Sequence, residues 1–221
     1  MKQARRRTPS TAIEEALVGA AFHLLETEGP GALSVRRVAA EAGVAPMGVY
    51  NHFEGKNGVV DAIFRAGFAT LTDELGVVAA GTADDDPAAA LCEGLRRYRR
   101  LALDHPRTYE VMFFGSIPGF EPSEESLVVA AASFDVLVQA ISRGMRAGVF
   151  ADADPVLVAQ QMWAAVHGAV ALEIADICMV EDMERTYEAL LDTLVRGIGT
   201  GTARPSGDTG TRPRAGGRSR A

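Results

Sequence analysis

Apolar residues along this chain recur three and four positions apart, the spacing that places side chains on one face of an α-helix. Near the amino terminus Ala16, Ala20 and Leu24 form such a stripe together with Leu17 and Leu25. No segment between turn signals alternates apolar and polar residues with a sustained period of two, so a β-sheet is not expected. The pattern predicts an all-α protein.

Glycine, proline and short polar side chains divide this pattern into separate helices. The first helix covers 11–28 and ends at Gly29, Ser34 is a suitable N-cap for the second, and Gly43 closes it. Pro46 suits the first position of a short third helix. The remaining expected helices cover residues 56–80, 87–104, 106–115, 122–147, 154–179 and 182–198.

The composition is that of an ordinary globular protein. The 221 residues are 48% hydrophobic, and the two cysteines, Cys92 and Cys178, cannot form a disulfide framework or a thiolate metal site by themselves. No secretory signal is visible, so a reducing, cytoplasmic location is expected. Residues 155–172 contain no Asp, Glu, Lys or Arg, but Gln160 and Gln161 and the lack of flanking cations favour a buried helix over a membrane span.

Residues 34–53 fit a helix-turn-helix. Two short helices meet at Gly43, which permits a sharp turn, and Val38, Val44 and Val49 are apolar anchors that fix how the helices cross. The outer face of the second helix is then free to enter the major groove of DNA. Many other helical bundles share this pattern, so the pattern alone does not establish DNA binding.

Residues 43–56, Gly-Val-Ala-Pro-Met-Gly-Val-Tyr-Asn-His-Phe-Glu-Gly-Lys, resemble the signature of the TetR family of bacterial transcriptional regulators. The resemblance extends over about residues 11–68, and its most specific part is Tyr-x-His-Phe-x-x-Lys. Residues 163–168, Trp-Ala-Ala-Val-His-Gly, resemble the Trp-x-x-x-His-Gly element of one C-terminal subclass, and residues 104–109 suit that subclass. The resemblance implies a three-helix DNA-binding domain joined by a fourth helix to a helical ligand-binding and dimerisation bundle.

The expected domain organisation follows from this resemblance and from the composition. Residues 11–68 are expected to form the DNA-binding domain, and residues 69–198 the C-terminal ligand-binding and dimerisation domain. Residues 1–10 are expected to form a flexible basic arm, which either follows DNA or only adds solubility. Residues 199–221 contain almost no apolar side chain and are expected to be a disordered tail, since they cannot offset the entropy of ordering. The clearest internal break lies at 81–87.

The end of the recognition helix carries the strongest DNA-binding candidates. Tyr50 and His52 have polar-tipped rings that can hydrogen-bond to DNA phosphates. Lys56 lies in the first turn of the fourth helix, where the helix dipole disfavours a cation unless an anion such as a phosphate binds there. The alternative is a solvated lysine without a function. Ala45 replaces the hydroxyl cap that is frequent in the family, which weakens the recognition helix by about 1 kcal/mol.

Few groups on this helix can read bases. Met47 can contact a thymine methyl group, and Asn51 can hydrogen-bond to a base edge or to a phosphate. Arg36 or Arg37 can reach a base or a phosphate, and at least one of them is expected to be solvated only. The complete set of expected DNA contacts is Ser34, Arg36, Arg37, Ala45, Pro46, Met47, Gly48, Tyr50, Asn51, His52 and Lys56.

The C-terminal region is expected to bind an effector and a second subunit. The resemblance implies that the last two helices form an intersubunit four-helix bundle, so that two recognition helices meet a near-palindromic operator about 34–36 Å apart. Aromatic and methionine side chains predict a site for a small apolar or amphipathic ligand, although ordinary core packing is the alternative for each of them. The candidates are His105, Tyr109, Met112, Phe113, Phe134, Met145, Trp163 and His167.

The function expected on these grounds is that of a homodimeric repressor, released from its operator by a small molecule. An enzyme is not expected, because the chain has no P-loop, no Gly-x-Ser-x-Gly and no paired metal-ligating histidines, and no cofactor or metal is implied. A helical ligand- or protein-binding regulator without operator binding is the alternative. The intact Tyr50, His52 and Lys56 argue against it.

The net charge of −7 is distributed unevenly along the chain. Residues 1–60 contain seven basic and six acidic residues, residues 61–198 contain ten and 22, and the tail from 199 contains five and one. The acidity therefore belongs to the expected sensor region. An acidic body repels DNA in every orientation except the one that presents the helix-turn-helix.

Overall fold

The structure is a computed structural model that describes residues 10–81 and 86–201. Its regular elements are helical, apart from an isolated antiparallel bridge between Phe150 and Gly199, which confirms the predicted all-α class for the described residues. The helices are α1 (Ser10–Glu28), α2 (Val35–Glu41), α3 (Pro46–Phe53), α4 (Lys56–Gly81), α5 (Pro87–Asp104), α6 (Pro106–Phe113), α7 (Glu124–Arg146), α8 (Pro155–Ile174) and α9 (Met183–Ile198), with a 3₁₀ turn at Pro30–Ala32.

Local capping explains why most helix ends lie within two residues of their expected positions. The Oγ of Ser34 accepts a hydrogen bond from the Arg37 amide at 3.4 Å, as an N-cap does. Gly43 has φ 67°, the left-handed conformation that ends α2 and turns the chain toward α3. Asp154 caps α8 by accepting from the amides of its first turn.

The expected end of α8 at residue 179 is wrong. The helix ends at Ile174, and Asp176 takes a left-handed φ of 55°. The Ile177 amide then donates to the Leu172 carbonyl at 3.2 Å, a contact that closes helix ends of this type. Apolar residues continue beyond Ile174, and for this reason the sequence pattern predicted a longer helix. Met179, however, is 97% exposed and belongs to the loop before α9.

The first three helices pack around one small core with the beginning of α4. Leu17, Leu25, Val38, Val49 and Ile63 are all essentially inaccessible to solvent. Their burial fixes the crossing of α2 and α3, as expected for a helix-turn-helix.

Helix α4 is continuous and belongs to both halves of the molecule. Its amino-terminal part packs against α1 and α3, and it also packs against α5, α6 and α7. The expected boundary between residues 68 and 69 falls inside this helix. Helix α4 is therefore a direct mechanical connection between the helix-turn-helix and the C-terminal bundle.

Helices α7 and α8 are long and apolar enough to span a membrane by length and composition alone. In the structure both are part of the bundle: α7 packs against α4, α5 and α8, and α8 packs against α5, α7 and α9. Val158, Met162, Val166 and Val170 give α8 a buried face, as the sequence predicted for a helix of the core.

Three parts of the expected organisation lie outside the described residues. These are most of the basic arm (1–9), residues 82–85 of the break between α4 and α5, and the tail from 202 onward.

Candidate DNA interface and ligand cavity

Helix α3 has one buried and one exposed face. Val49 and Phe53 are buried, as expected, whereas Met47 is 64% and Tyr50 53% exposed. Asn51 is exposed on the same outer side. The face that would meet DNA is thus free, and the opposite face anchors the helix in the core.

The turn between α3 and α4 is tight. Glu54 and Gly55 both have positive φ, 57° and 118°. A Cβ added to Gly58 would lie 1.7 Å from the carbonyl oxygen of Phe53. The first turn of α4 therefore approaches the end of α3 so closely that only glycine fits at this position.

This turn brings the expected phosphate contacts to one end of α3. Lys56 is exposed at the first position of α4. The residue before it is Gly55, and a Cβ added there would lie 3.8 Å from the Tyr50 ring. His52 is half-buried, with its ring 6.2 Å from that of Phe53. A cation and a phenol therefore lie at the amino terminus of α4, and an imidazole lies in the last turn of α3.

The two arginines of α2 differ in their surroundings. The Arg37 guanidinium donates two hydrogen bonds to the Glu28 carboxylate, at 2.7 and 2.6 Å, and this contact lowers the pKa of Glu28. Arg36 is exposed and makes no ion pair within the described residues. Arg37 thus ties α2 to the end of α1, whereas Arg36 has no such ion pair in the described part of the chain.

The expected DNA contacts that remain are Ser34, Ala45, Pro46 and Gly48. Ser34, Ala45 and Pro46 are exposed, and Gly48 is half-buried. Ala45 occupies the N-cap of α3 without a side-chain hydrogen bond, as its methyl group requires.

A cavity of about 450 Å³ lies among α4, α5, α6, α7 and α8. Four of the expected ligand-binding residues line it: Met112, Phe113, Phe134 and Trp163. The sequence did not identify the rest of its wall, which includes Phe68, Leu71, Leu91, Tyr98, Leu127, Ser133, Leu137, Arg143 and Gln160.

Tyr109 and His167 lie next to this cavity rather than in its wall. The hydroxyl of Tyr98, which does line the cavity, is 2.8 Å from the Tyr109 hydroxyl and 2.8 Å from His167 Nδ1. The Tyr109 hydroxyl is 2.6 Å from the same nitrogen. Burial raises the pKa of Tyr98 to about 12 and lowers the pKa of His167, so this cluster is neutral near pH 7.

The structure places His105 and Met145 away from the cavity wall. The His105 ring packs edge-on against Phe22 of α1, with 4.9 Å between ring centroids, at the junction of α5 and α6. Met145 is partly buried against the core near the end of α7. Among the described residues no group of three or more His, Cys, Asp or Glu side chains is arranged to hold a metal ion.

A second connection between the two halves joins the end of α1 to the start of α6. The Glu26 carboxylate accepts hydrogen bonds from the amides of Thr108 at 2.7 Å and Arg107 at 3.4 Å. In return, the Arg107 guanidinium donates to the carbonyl oxygens of Leu25 and Glu26 at 3.2 and 3.0 Å. Each helix end is thus capped by a side chain of the other helix.

We expect the Glu26→Ala variant to unfold at a lower urea concentration than the wild type. Two amides at the start of α6 lose their acceptor, which corresponds to a loss of about 1–2 kcal/mol in the free energy of unfolding. Glu15→Ala is the matched control, since Glu15 is an exposed glutamate on the same helix. Equal unfolding midpoints for the two variants would show that this reciprocal cap does not stabilise the protein.

The structure contains a helix-turn-helix with a free recognition face, and a shared helix joins it to a bundle around an apolar cavity. This combination defines a transcriptional regulator that has a DNA-binding domain and a sensor domain. Residues 17–63 match the family model described as bacterial regulatory proteins of the tetR family, and residues 89–194 match that of the tetracyclin repressor-like C-terminal domain. Both models describe TetR proteins and together they match most of the chain. The chain belongs to the TetR family of bacterial transcriptional regulators, as its sequence predicted.

Individual relatives agree with this assignment. An uncharacterised HTH-type transcriptional regulator of Mycobacterium tuberculosis is 24% identical over 191 residues, which cover 86% of this chain and 83% of the relative. A protein of unknown function from Rhodococcus sp. RHA1 has a similar structure, with a TM-score of 0.76, 25% identity and coverage of 90% of this chain and all of that one. A TetR family transcription regulator from Marinobacter aquaeolei VT8 shares the fold, with a TM-score of 0.62, 17% identity and coverage of 86% and 96%.

Proposed function

We propose that this regulator is a homodimeric repressor that binds a near-palindromic operator and leaves it when a small apolar or amphipathic molecule enters the cavity. The observation that carries this proposal is the double role of α4. Lys56 begins this helix beside the recognition helix, and Phe64, Phe68, Leu71 and Leu75 of the same helix line the cavity. A ligand that displaces these side chains must act on the helix that positions the DNA contacts.

The proposed DNA contacts divide into two groups. Tyr50, His52 and Lys56 bind phosphates around the start of α4, where the backbone amides add to the attraction. Met47, Asn51 and Arg36 are exposed and face the bases or the flanking backbone. Arg37 acts indirectly, because its ion pair with Glu28 holds α2 in place.

The proposed release follows from a shift between two arrangements of the dimer. The ligand stabilises the arrangement in which the recognition helices no longer match successive major grooves, and a coupling free energy of about 1–3 kcal/mol is typical for such effects. The protein needs no cofactor, metal or catalytic residue for this role, and it would act in the cytoplasm. The assignment to the Trp-x-x-x-His-Gly subclass stays a prediction.

The outer faces of α8 and α9 support the proposed dimer. On α8, Leu157 is 54% and Leu172 49% exposed, and Ala164 lies exposed between them. On α9 the small residues Ala189 and Thr193 are exposed one turn apart. Two apolar or small-residue faces on neighbouring helices fit an intersubunit four-helix bundle.

We expect the Ala164→Arg variant to raise the dissociation constant of the dimer at least about 100-fold, because it places a desolvated charge in each half of the interface. Sedimentation velocity at a series of protein concentrations measures this change. Ala132→Arg on the exposed side of α7 introduces the same charge and is expected to leave the dimer intact. A dimer that persists in the Ala164→Arg variant would place the interface elsewhere.

The experiment that tests the function is selection of DNA fragments by the purified full-length protein, followed by sequencing. A near-palindromic sequence with half-sites one DNA turn apart is expected, with affinity that falls steeply as salt concentration rises. Failure to enrich any sequence would overturn operator binding and favour a regulator that acts without DNA.

A further inference from the structure

Arg143 is the charged residue in an otherwise largely apolar cavity wall. Most of the wall consists of aliphatic and aromatic side chains, and the polar residues in it are few. Two of these are already engaged: the Ser133 hydroxyl donates to the Ala130 carbonyl at 2.7 Å, and the Tyr98 hydroxyl is bound to Tyr109 and His167. Gln160, another polar residue of the wall, is exposed and uncharged, so Arg143 is the cavity group best able to bind an anionic part of a ligand.

The Arg143 guanidinium has no partner among the described residues. Its Nε is buried and makes no hydrogen bond, and the side chain forms no ion pair. The partly buried arginines of α5 are paired: Arg96 contacts Glu188 at 2.7 Å, and Arg99 contacts Glu173 at 2.6 Å. Arg143 differs from exposed arginines that form no ion pair with the described residues, such as Arg146, because its Nε is buried.

A buried donor without an acceptor is unfavourable, so the site is complementary to an acceptor that comes from outside the chain. A guanidinium binds a carboxylate through two parallel hydrogen bonds. The remaining wall is apolar and offers contacts only to a non-polar body. On α7 the lining residues extend from Leu127 to Arg143, roughly 24 Å at 1.5 Å per residue, so the wall follows most of this helix and Arg143 lies near its carboxyl-terminal end.

We propose that the cavity binds a monocarboxylate with an elongated apolar chain, and that Arg143 holds the carboxylate. This inference rests on the proposed function, in which the same cavity receives the effector. The apolar chain would lie along α7 among the aromatic rings of Phe68, Phe134 and Trp163.

The test compares an acid with the alcohol of the same length. Trp163 is the single tryptophan of the chain and lines the cavity, so its fluorescence reports occupancy directly. Decanoate and decan-1-ol are titrated into the full-length wild type, Arg143→Met and Arg146→Met. Arg146 is the matched control, because it is an exposed arginine one turn further along α7 and its loss changes the net charge equally.

We expect the wild type and Arg146→Met to bind decanoate at least about tenfold more tightly than decan-1-ol. Arg143→Met is expected to lose this preference, with decanoate affinity at least about tenfold lower and decan-1-ol affinity within about twofold of the wild type. Arg143→Lys keeps the positive charge but lacks the two parallel donors of a guanidinium, so it should retain only part of the preference for decanoate over decan-1-ol.

Three results would overturn the role of Arg143. The first is absence of decanoate binding to the wild type, and the second is equal decanoate affinity in the wild type and Arg143→Met. The third is a change in dimer dissociation in Arg143→Met with unchanged decanoate binding, which would assign the missing acceptor to a second copy of the chain. Operator binding by the same proteins without ligand is measured in parallel, and its absence in the wild type would overturn the proposed function instead.

Discussion

The double variant Tyr50→Ala, Lys56→Ala is expected to bind the selected operator at least about 100-fold more weakly than the wild type. Each lost contact to a phosphate corresponds to about 1 kcal/mol, and a symmetric dimer loses each contact twice. Both side chains are exposed, so the melting temperature should stay nearly unchanged. Gel-shift titration measures the affinity, and a thermal melt confirms folding.

The salt dependence of operator affinity separates the contribution of Lys56 from that of Tyr50. Lys56→Ala alone should reduce the slope of log affinity against log salt by about one for each subunit, because a cation no longer replaces a counterion on the phosphate. Tyr50→Ala carries no charge change and should leave this slope as it is. Arg146→Ala, which removes an exposed cation from α7, is the control for net charge. Unchanged operator affinity in the double variant would refute the phosphate contacts at the start of α4.

The Gly58→Ala variant is expected to lose about 3 kcal/mol in the free energy of unfolding and to melt about 6–12 °C lower. The added Cβ would lie 1.7 Å from the Phe53 carbonyl oxygen and 2.6 Å from its carbon, and backbone atoms cannot rotate away as a side chain can. The end of α3 and the start of α4 must therefore separate. Because Tyr50 and Lys56 flank this contact, operator affinity should fall as well.

Gly19→Ala is the matched control for this substitution. Gly19 lies within α1, and a Cβ there has no atom within 4 Å. In a helix interior the change from glycine to alanine is expected to stabilise the protein by about 0.5–1 kcal/mol. The two substitutions should thus shift the melting temperature in opposite directions. A Gly58→Ala variant as stable as the wild type would show that the close approach of α3 and α4 is not required.

The helix-turn-helix was predictable in detail because its determinants are local. The Ser34 cap and the left-handed turn at Gly43 each depend on interactions within one helical turn. The helical period separated Val49 and Phe53, which are buried, from Tyr50, which is exposed. For the same reason most helix ends agree with the sequence. The end of α8 does not, because apolar residues in the following loop continue a pattern that the left-handed Asp176 interrupts.

The cavity wall was predicted only in part because the wall depends on how distant helices cross. Tyr98 stands among four arginines in the sequence, and that charged surrounding gave no indication that the ring is buried between α6 and α8. Arg143 has the same sequence character as its exposed neighbour Arg146, yet it lines the cavity. His105 shows the opposite error, since an aromatic side chain near the expected site packs instead against α1.

The sequence by itself thus determined the helices, the family and the buried and exposed faces of α3, because periodicity, caps and the signature at 43–56 are contained in short segments of chain. Only the tertiary structure decided which arginines are paired, where α1 and α6 cap one another, and which side chains of α4 line the cavity. These features arise where helices far apart in the chain meet, and they depend on crossing angles that no local pattern specifies.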